Sequence, residues 1–231
     1  DGLPVWNGGS LGFGYKFLNA DATEAQEEKF HETTDGHAFM LELNQTLMEA
    51  GFNRTVLQYY VDGSALAGVR YQMADTLSGD VKSGDGFAIR NYGFIPLSAD
   101  WDLSHAINYA EANDVEMHNE GFTSWSGSEG DARSFAVSAK VTYHWSDITR
   151  TYAEAGYFDD EVNTNTGDYS RDGSKATIAQ AWSFGRGQPE LRVFASYFNS
   201  DNSDWVSTVS TFENGNADDT WAVGIQANVG W

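Results

Sequence analysis

The chain has 231 residues, no cysteine and a net charge of −21, so a disulfide framework is absent and the basic footprint of a nucleic-acid binder is missing. Aromatic residues make up 14% of it, and no run approaches the roughly 18 consecutive apolar residues that a membrane helix requires. Any membrane-spanning structure is therefore expected to be a closed barrel, because backbone groups in lipid must pair within the fold.

Period-two alternation predicts strands along the whole chain. The start, Asp1 to Gly9, reads as a loop leading into a strand. Leu11, Phe13, Tyr15 and Phe17 oppose Gly12, Gly14 and Lys16. Phe39, Leu41 and Leu43 oppose Met40, Glu42 and Asn44; Thr55, Leu57 and Tyr59 oppose Arg54, Val56 and Gln58. A less regular strand covers Phe87 to Leu97. Trp101, Leu103, Ile107 and Tyr109 then oppose Asp102, Ser104, Ala106 and Asn108. Phe135 to Trp145 alternates against Ser134 to His144, and further strands fit near Thr149 to Phe158, Ser174 to Phe184 and Leu191 to Phe198. At the end, Trp221, Val223, Ile225, Ala227, Val229 and Trp231 oppose Ala222, Gly224, Gln226, Asn228 and Gly230. Aromatics bracketing aliphatics on one face are the order of a lipid-facing barrel strand, because indole and phenol rings favour the headgroup boundary. The expected fold class is therefore all-β: an antiparallel transmembrane β-barrel of about ten strands.

The connections alternate in length, as in outer-membrane barrels. Short ones fall at Glu49 to Asn53, Ser98 to Asp100, Ser146 to Asp147 and Gly185 to Pro189. Long polar ones are expected at Asn19 to Gly36, Asp62 to Gly86, Asn113 to Arg133, Asp159 to Gly173 and Asn199 to Asp219. Acidic residues gather in these stretches, which read as solvated loop tips or as a mouth attracting cations. A soluble sandwich also alternates, but its outward face usually carries charges. Here the polar face is mostly Gly, Ala, Ser, Thr and Asn, which suits a crowded lumen.

Several segments resemble the maltoporin-type sugar porins. Gly51-Phe-Asn-Arg-Thr-Val-Leu-Gln-Tyr59 is similar to the family's GFN-x-x-V-x-QY strand, and Trp101-Asp102 to a WD strand start. Ala153-Glu-Ala-Gly-Tyr157, Thr177-Ile-Ala-Gln-Ala-Trp182 and Arg192-Val-Phe-Ala-Ser-Tyr197 follow in the family's order, and the strand closing on Trp231 matches its terminus. The resemblance implies a single barrel domain over residues 1–231 that is part of an eighteen-stranded porin, expected not to fold alone. It also implies a homotrimer in the outer membrane of a Gram-negative bacterium that passes oligosaccharides of maltodextrin type, with small solutes and ions, by passive diffusion. Outer-membrane lipid and oligosaccharide solutes are the expected partners, with no cofactor, no metal and no nucleic acid. A structural or adhesive barrel with a plugged lumen is the alternative.

Alternation gives the inward-facing ionic set as Lys16, Glu42, Arg54, Lys140, Arg150, Glu154, Lys175 and Arg192, each able to serve the wall or a solute. Glu154 is expected to pair with Lys175 or Arg192 across strands. Tyr60, Tyr92, Tyr152, Phe194 and Phe198 share that parity and could offer stacking surfaces. The family's aromatic track departs here: Gly230 replaces one tryptophan, Arg186 or Gly187 falls near another, and Met40 (or Phe39) meets a track phenylalanine. His105 takes the outward parity and His144 the inward one. Ser138 and His144 share a face but lie roughly 20 Å apart along a strand, too far for a dyad. No enzyme activity is expected.

Overall fold

The alternating segments form strands in chain order: β1 (Leu3–Trp6), β2 (Gly9–Leu18), β3 (Gly36–Leu47), β4 (Gly51–Asp62), β5 (Val81–Pro96), β6 (Trp101–Met117), β7 (Glu129–His144), β8 (Thr149–Thr164), β9 (Gly167–Ser183), β10 (Glu190–Asp201) and β11 (Asp219–Asn228). The structure is a computed structural model, and it describes residues 2–21, 24, 34–48, 50–69, 81–117, 129–183, 189–201 and 219–228. All eleven described strands belong to one antiparallel sheet in which each pairs with its neighbours in sequence. Among the described residues the sheet is open, with β1 and β11 as its edges. Val229, Gly230 and Trp231, like Arg186 and Gly187, lie outside the described residues.

The count exceeds the expected ten by β1. That strand is four residues long, contains Pro4 and is bulged between Pro4 and Trp6, so it shows no alternation to read. A second correction concerns Asp159 to Gly173, expected as a long polar loop. β8 and β9 instead stay in register to Thr164↔Gly167, with only Asn165 and Thr166 between them. Beyond the aromatic belt both faces of a strand are polar, so the ladder persists while the apolar alternation vanishes. For the same reason β5, β6 and β7 run into the stretches expected as loops, from Val81, to Met117 and from Glu129.

The outer face carries the apolar set. Trp221 and Ile225 are 70% and 73% exposed, and Phe13, Tyr15, Ile178 and Val223 also stand free of the sheet. Aromatics line its long-connection end in neighbouring pairs: Tyr15 with Phe39, Phe87 with Tyr109, Phe135 with Tyr157, and Tyr197 with Trp221. The belt does not follow one row of paired residues. It holds to Tyr15↔Phe39↔Tyr59↔Phe87, then steps two residues to Tyr109↔Phe135. A stagger of that kind is what strand tilt in a barrel requires. At the short-turn end Trp101, Tyr143 and Trp145 pack ring on ring.

One polar knot interrupts the outer face. His105 Nε2 lies 2.9 Å from Asn91 Oδ1 and 3.2 Å from Asn53 Oδ1, while Asn91 Nδ2 donates to Thr55 Oγ1 at 2.9 Å. His105 stands midway between Trp101 and Tyr109, so these polar groups satisfy one another within an otherwise apolar face.

The opposite face receives the chain after β4. Residues 63–69, with a single 3-10 turn at Ala65–Gly68, fold back onto it. Ala65, Leu66 and Val69 join Tyr60, Ala88, Ala110, Ala112, Val115, Met117, Ala132 and Val162 in a buried cluster. Two bulges make this packing possible. Gly84, at φ 136°, sits against Val115, and Asp114, at φ 50°, interrupts the β6–β7 register between Ala112 and Val115. The extra residue reverses the strand's parity and turns Val115 and Met117 inward.

Candidate functional site

The inner face is a wall of small residues on which ionic and aromatic side chains stand in rows set by strand register. On β7–β11 the rows read Ala136, Phe158, Gly173, Ser200; then Ser138, Gly156, Lys175, Phe198, Thr220; then Lys140, Glu154, Thr177, Ser196, Ala222. Below them come Thr142, Tyr152, Ala179, Phe194, Gly224, and then His144, Arg150, Ala181, Arg192, Gln226. Every second residue of each strand contributes, so one parity fixes the chemistry of the whole wall.

Near the short-turn end the groups tie the wall together. Arg150 Nε donates to Glu190 Oε2 at 3.1 Å, and His144 Nε2 lies 2.6 Å from Asp102 Oδ2. Arg192 Nη1 donates to the Tyr152 hydroxyl at 2.8 Å, and its Nε donates to Gln226 Oε1 at 2.9 Å. The Lys140 ammonium stands 5.6 Å from the Tyr152 ring centroid and the Arg192 guanidinium carbon 6.0 Å from it, and Tyr152 as a whole is 7% exposed. Phe194 packs against Tyr152, Ala179 and Ala181 and covers Gly224.

Higher on this wall, Lys175 Nζ lies 3.3 Å from Glu154 Oε1, one of the two cross-strand pairings that the sequence allows. On the β2–β5 wall, Arg54 Nη1 donates to the Tyr92 hydroxyl at 3.1 Å, with its guanidinium carbon 5.7 Å from that ring. Arg54 also bonds Asn44 and lies 3.8 Å from Glu42. Met40 leans over Gly14, and Lys16 pairs in register with Ala38. Tyr60 is only 5% exposed, covered by Gly68 of the inward segment.

Two inner-face groups, Arg90 and Phe158, escape the sequence reading, while Asn108 keeps the inward parity expected of it. Arg90 has the parity of Tyr92, and donates to Asn108 Oδ1 at 2.9 Å, to Gln58, and to the Gly68 carbonyl at 3.2 Å. It thereby pins the inward segment to the wall. Asn108 is its partner, and Phe158 closes the row above Lys175. Parity alone flags all three, but β5 reads as irregular and Phe158 falls where its strand was expected to end. With Tyr92, Lys175 and Phe198, these three residues line a cavity of about 910 Å³ on the inner face.

The LamB porin family model matches residues 1–231. A maltoporin of Hahella chejuensis is 33% identical over 96% of the chain and 51% of its own length. Maltoporins of Photobacterium profundum and of Vibrio cholerae serotype O1 (strain El Tor Inaba N16961) are each 30% identical over 99% of it, and over 50% and 56% of their own lengths. The chain thus spans about half the length of the curated relatives it matches.

Proposed function

The chain belongs to the LamB porin family, and on that footing we propose that the protein is a carbohydrate-selective porin of a Gram-negative outer membrane. Residues 1–231 contribute one barrel domain to it. Lipid meets the outer face, the protein assembles as a homotrimer, and oligosaccharides of maltodextrin type cross with small solutes and ions by passive diffusion.

The observation that supports this best is the division of chemistry between the two faces. The outward parity is aliphatic and aromatic, while the inward parity sets Arg54, Lys140, Glu154, Lys175 and Arg192 among small residues. A sugar offers apolar C–H faces and a rim of hydroxyls. Rings take the first and ionic pairs exchange hydrogen bonds with the second, weakly enough for release. Of the inner-face candidates, Arg54, Glu42, Tyr92, Lys140, Glu154 and Arg192 supply exchangeable groups. Tyr60, Tyr152, Arg150, Met40 and Phe194 serve mainly to pack and brace the wall.

A plugged structural barrel finds some support in segment 63–69, which packs on the inner face over β4–β6. The cavity beside it, toward β9–β11, favours transport. The test is conductance of the full-length gene product in planar bilayers with oligosaccharide titration. Reversible block by sugar is the expected result; channels that never open, from refolded protein, would remove the transport reading.

A further inference from the structure

We propose that Phe158 and Phe198 form a saccharide-stacking subsite on the inner wall, with Lys175 and the Arg90–Asn108 pair at its edges. The inference rests on the transport reading and adds to it the place where a sugar ring lies.

Both rings line the 910 Å³ cavity, a volume in the range of small-ligand sites. The surrounding wall is cut low. Ala106, Ala136, Ser138, Gly156 and Gly173 also line the cavity, and none projects far enough to cover a neighbouring ring. Phe158 occupies the space a side chain at Gly173 would take: a Cβ there would stand 2.6 Å from Phe158 Cε1 and 3.0 Å from Cζ. The ring is thus laid against the wall. Phe198 on β10 pairs with Lys175 on β9, which in turn faces Gly156 on β8, so the two phenylalanines sit in adjacent rows on either side of β9.

Polar groups ring this pair. The Lys175 ammonium stands over the Phe198 ring, 5.8 Å from its centroid, and 3.3 Å from Glu154 Oε1, so paired N–H donors and an acceptor lie beside the half-buried ring. Ser200 pairs with Gly173 in the row of Phe158, and across the floor Arg90 and Asn108 form a bonded pair. Apolar faces edged by paired donors and acceptors complement a pyranose, whose C–H groups lie on its faces and whose hydroxyls lie on its rim. The other inner-face rings are less suited. Tyr152, between Lys140 and Arg192, and Tyr60, beneath Gly68, are buried, whereas Phe158 and Phe198 are half-buried. An aromatic laid over a cross-strand glycine can also be plain wall repair, and the two roles differ in their response to sugar.

The experiment is single-channel recording of the full-length gene product with maltohexaose, cellohexaose and laminarihexaose. Phe158→Ala and Phe198→Ala are each expected to raise the half-blocking concentration of the blocking sugar about fivefold or more. Phe198→Trp is expected to restore block and to show indole fluorescence that changes as that sugar is added. Block that is unaltered in both alanine variants, or indole fluorescence of the Phe198→Trp variant that stays indifferent to a sugar that blocks, overturns the subsite while leaving the porin reading intact. A wild-type channel blocked by none of the three sugars counts against carbohydrate transport itself, and the subsite falls with it.

Discussion

Arg192 holds Tyr152 in two ways at once: its Nη1 donates to the phenol oxygen at 2.8 Å while its guanidinium carbon stands 6.0 Å from the ring centroid. Lys140 lies 5.6 Å from the same centroid. The arrangement sets two cations against one tyrosine and makes the ring a structural brace. Tyr152→Phe removes only the accepting oxygen. A hydrogen bond from a charged donor to a largely buried hydroxyl contributes about 1–3 kcal/mol, so the urea midpoint of the lipid-embedded protein should fall accordingly. Sugar block should stay as in wild type, since the ring face is already covered.

The contact between Phe194 and Gly224 admits a cleaner packing test. A Cβ at position 224 would meet Phe194 Cζ at 2.8 Å and Cε1 at 3.0 Å, and all three nearest atoms belong to that ring. Gly224→Ala is therefore expected to destabilise the β10–β11 pair by about 1–3 kcal/mol. In Phe194→Leu the added methyl should cost much less. Thermal unfolding of the two single variants and the double variant measures the coupling, and additive effects would refute the steric account.

Above the membrane belt, Asp160 is fully buried and accepts from Arg171 Nε at 2.9 Å and from Ser134 Oγ at 2.6 Å. Removing the cation strands a carboxylate out of water. Arg171→Met should cost roughly 3–5 kcal/mol, and Asp160→Asn in the same chain should recover part of it. Differential scanning calorimetry of the single and double variants provides the check.

These residues also show how far the sequence reaches. Within the lipid belt, one face must be apolar and the other small or ionic, so Trp221, Val223 and Ile225 against Ala222, Gly224 and Gln226 announce both strand and orientation. The same parity places Lys175 and Glu154 on one wall, and their pairing follows from register. Outside the belt the constraint lifts. Val162 and Tyr169 belong to paired strands, yet Asp159 to Gly173 reads as loop because no lipid sorts its side chains. The bulges at Gly84 and Asp114 reverse parity midway, which a strict period of two cannot anticipate. Ala65-Leu-Ala-Gly-Val69 is an apolar stretch inside an acidic connection, and it carried the one available hint of an inward turn. Phe158 was legible as a strand residue but not as part of a site, since its neighbour Gly173 lies fifteen residues on.

Strong acidification should loosen the outlying β5–β6 pairing. Lys82 Nζ lies 2.8 Å from Glu116 Oε2, beyond the aromatic belt, and its hydrogen bond and charge hold Glu116 below the ordinary glutamate range. A carboxyl whose folded pKa is depressed adds stability above its unfolded value and loses it as pH falls through the folded one. Amide-exchange protection at Ser83 and Glu116 should hold from neutrality down to the usual glutamate range and decline below it. Lys82→Gln should move the Glu116 titration upward, as read by carboxyl-carbon NMR; an unmoved midpoint would contradict the pairing.

The central claim is that the aliphatic and aromatic face meets lipid while the ionic face encloses water. Nitroxide labels at Val137 and Ile225 on one parity, and at Ser138 and Ala222 on the other, test it in the full-length gene product reconstituted in vesicles. The account requires labels 137 and 225 to relax with dissolved oxygen and labels 138 and 222 to relax with a water-soluble nickel chelate. Labels 137 and 225 shielded from both reagents, or 138 and 222 favouring oxygen, would contradict it.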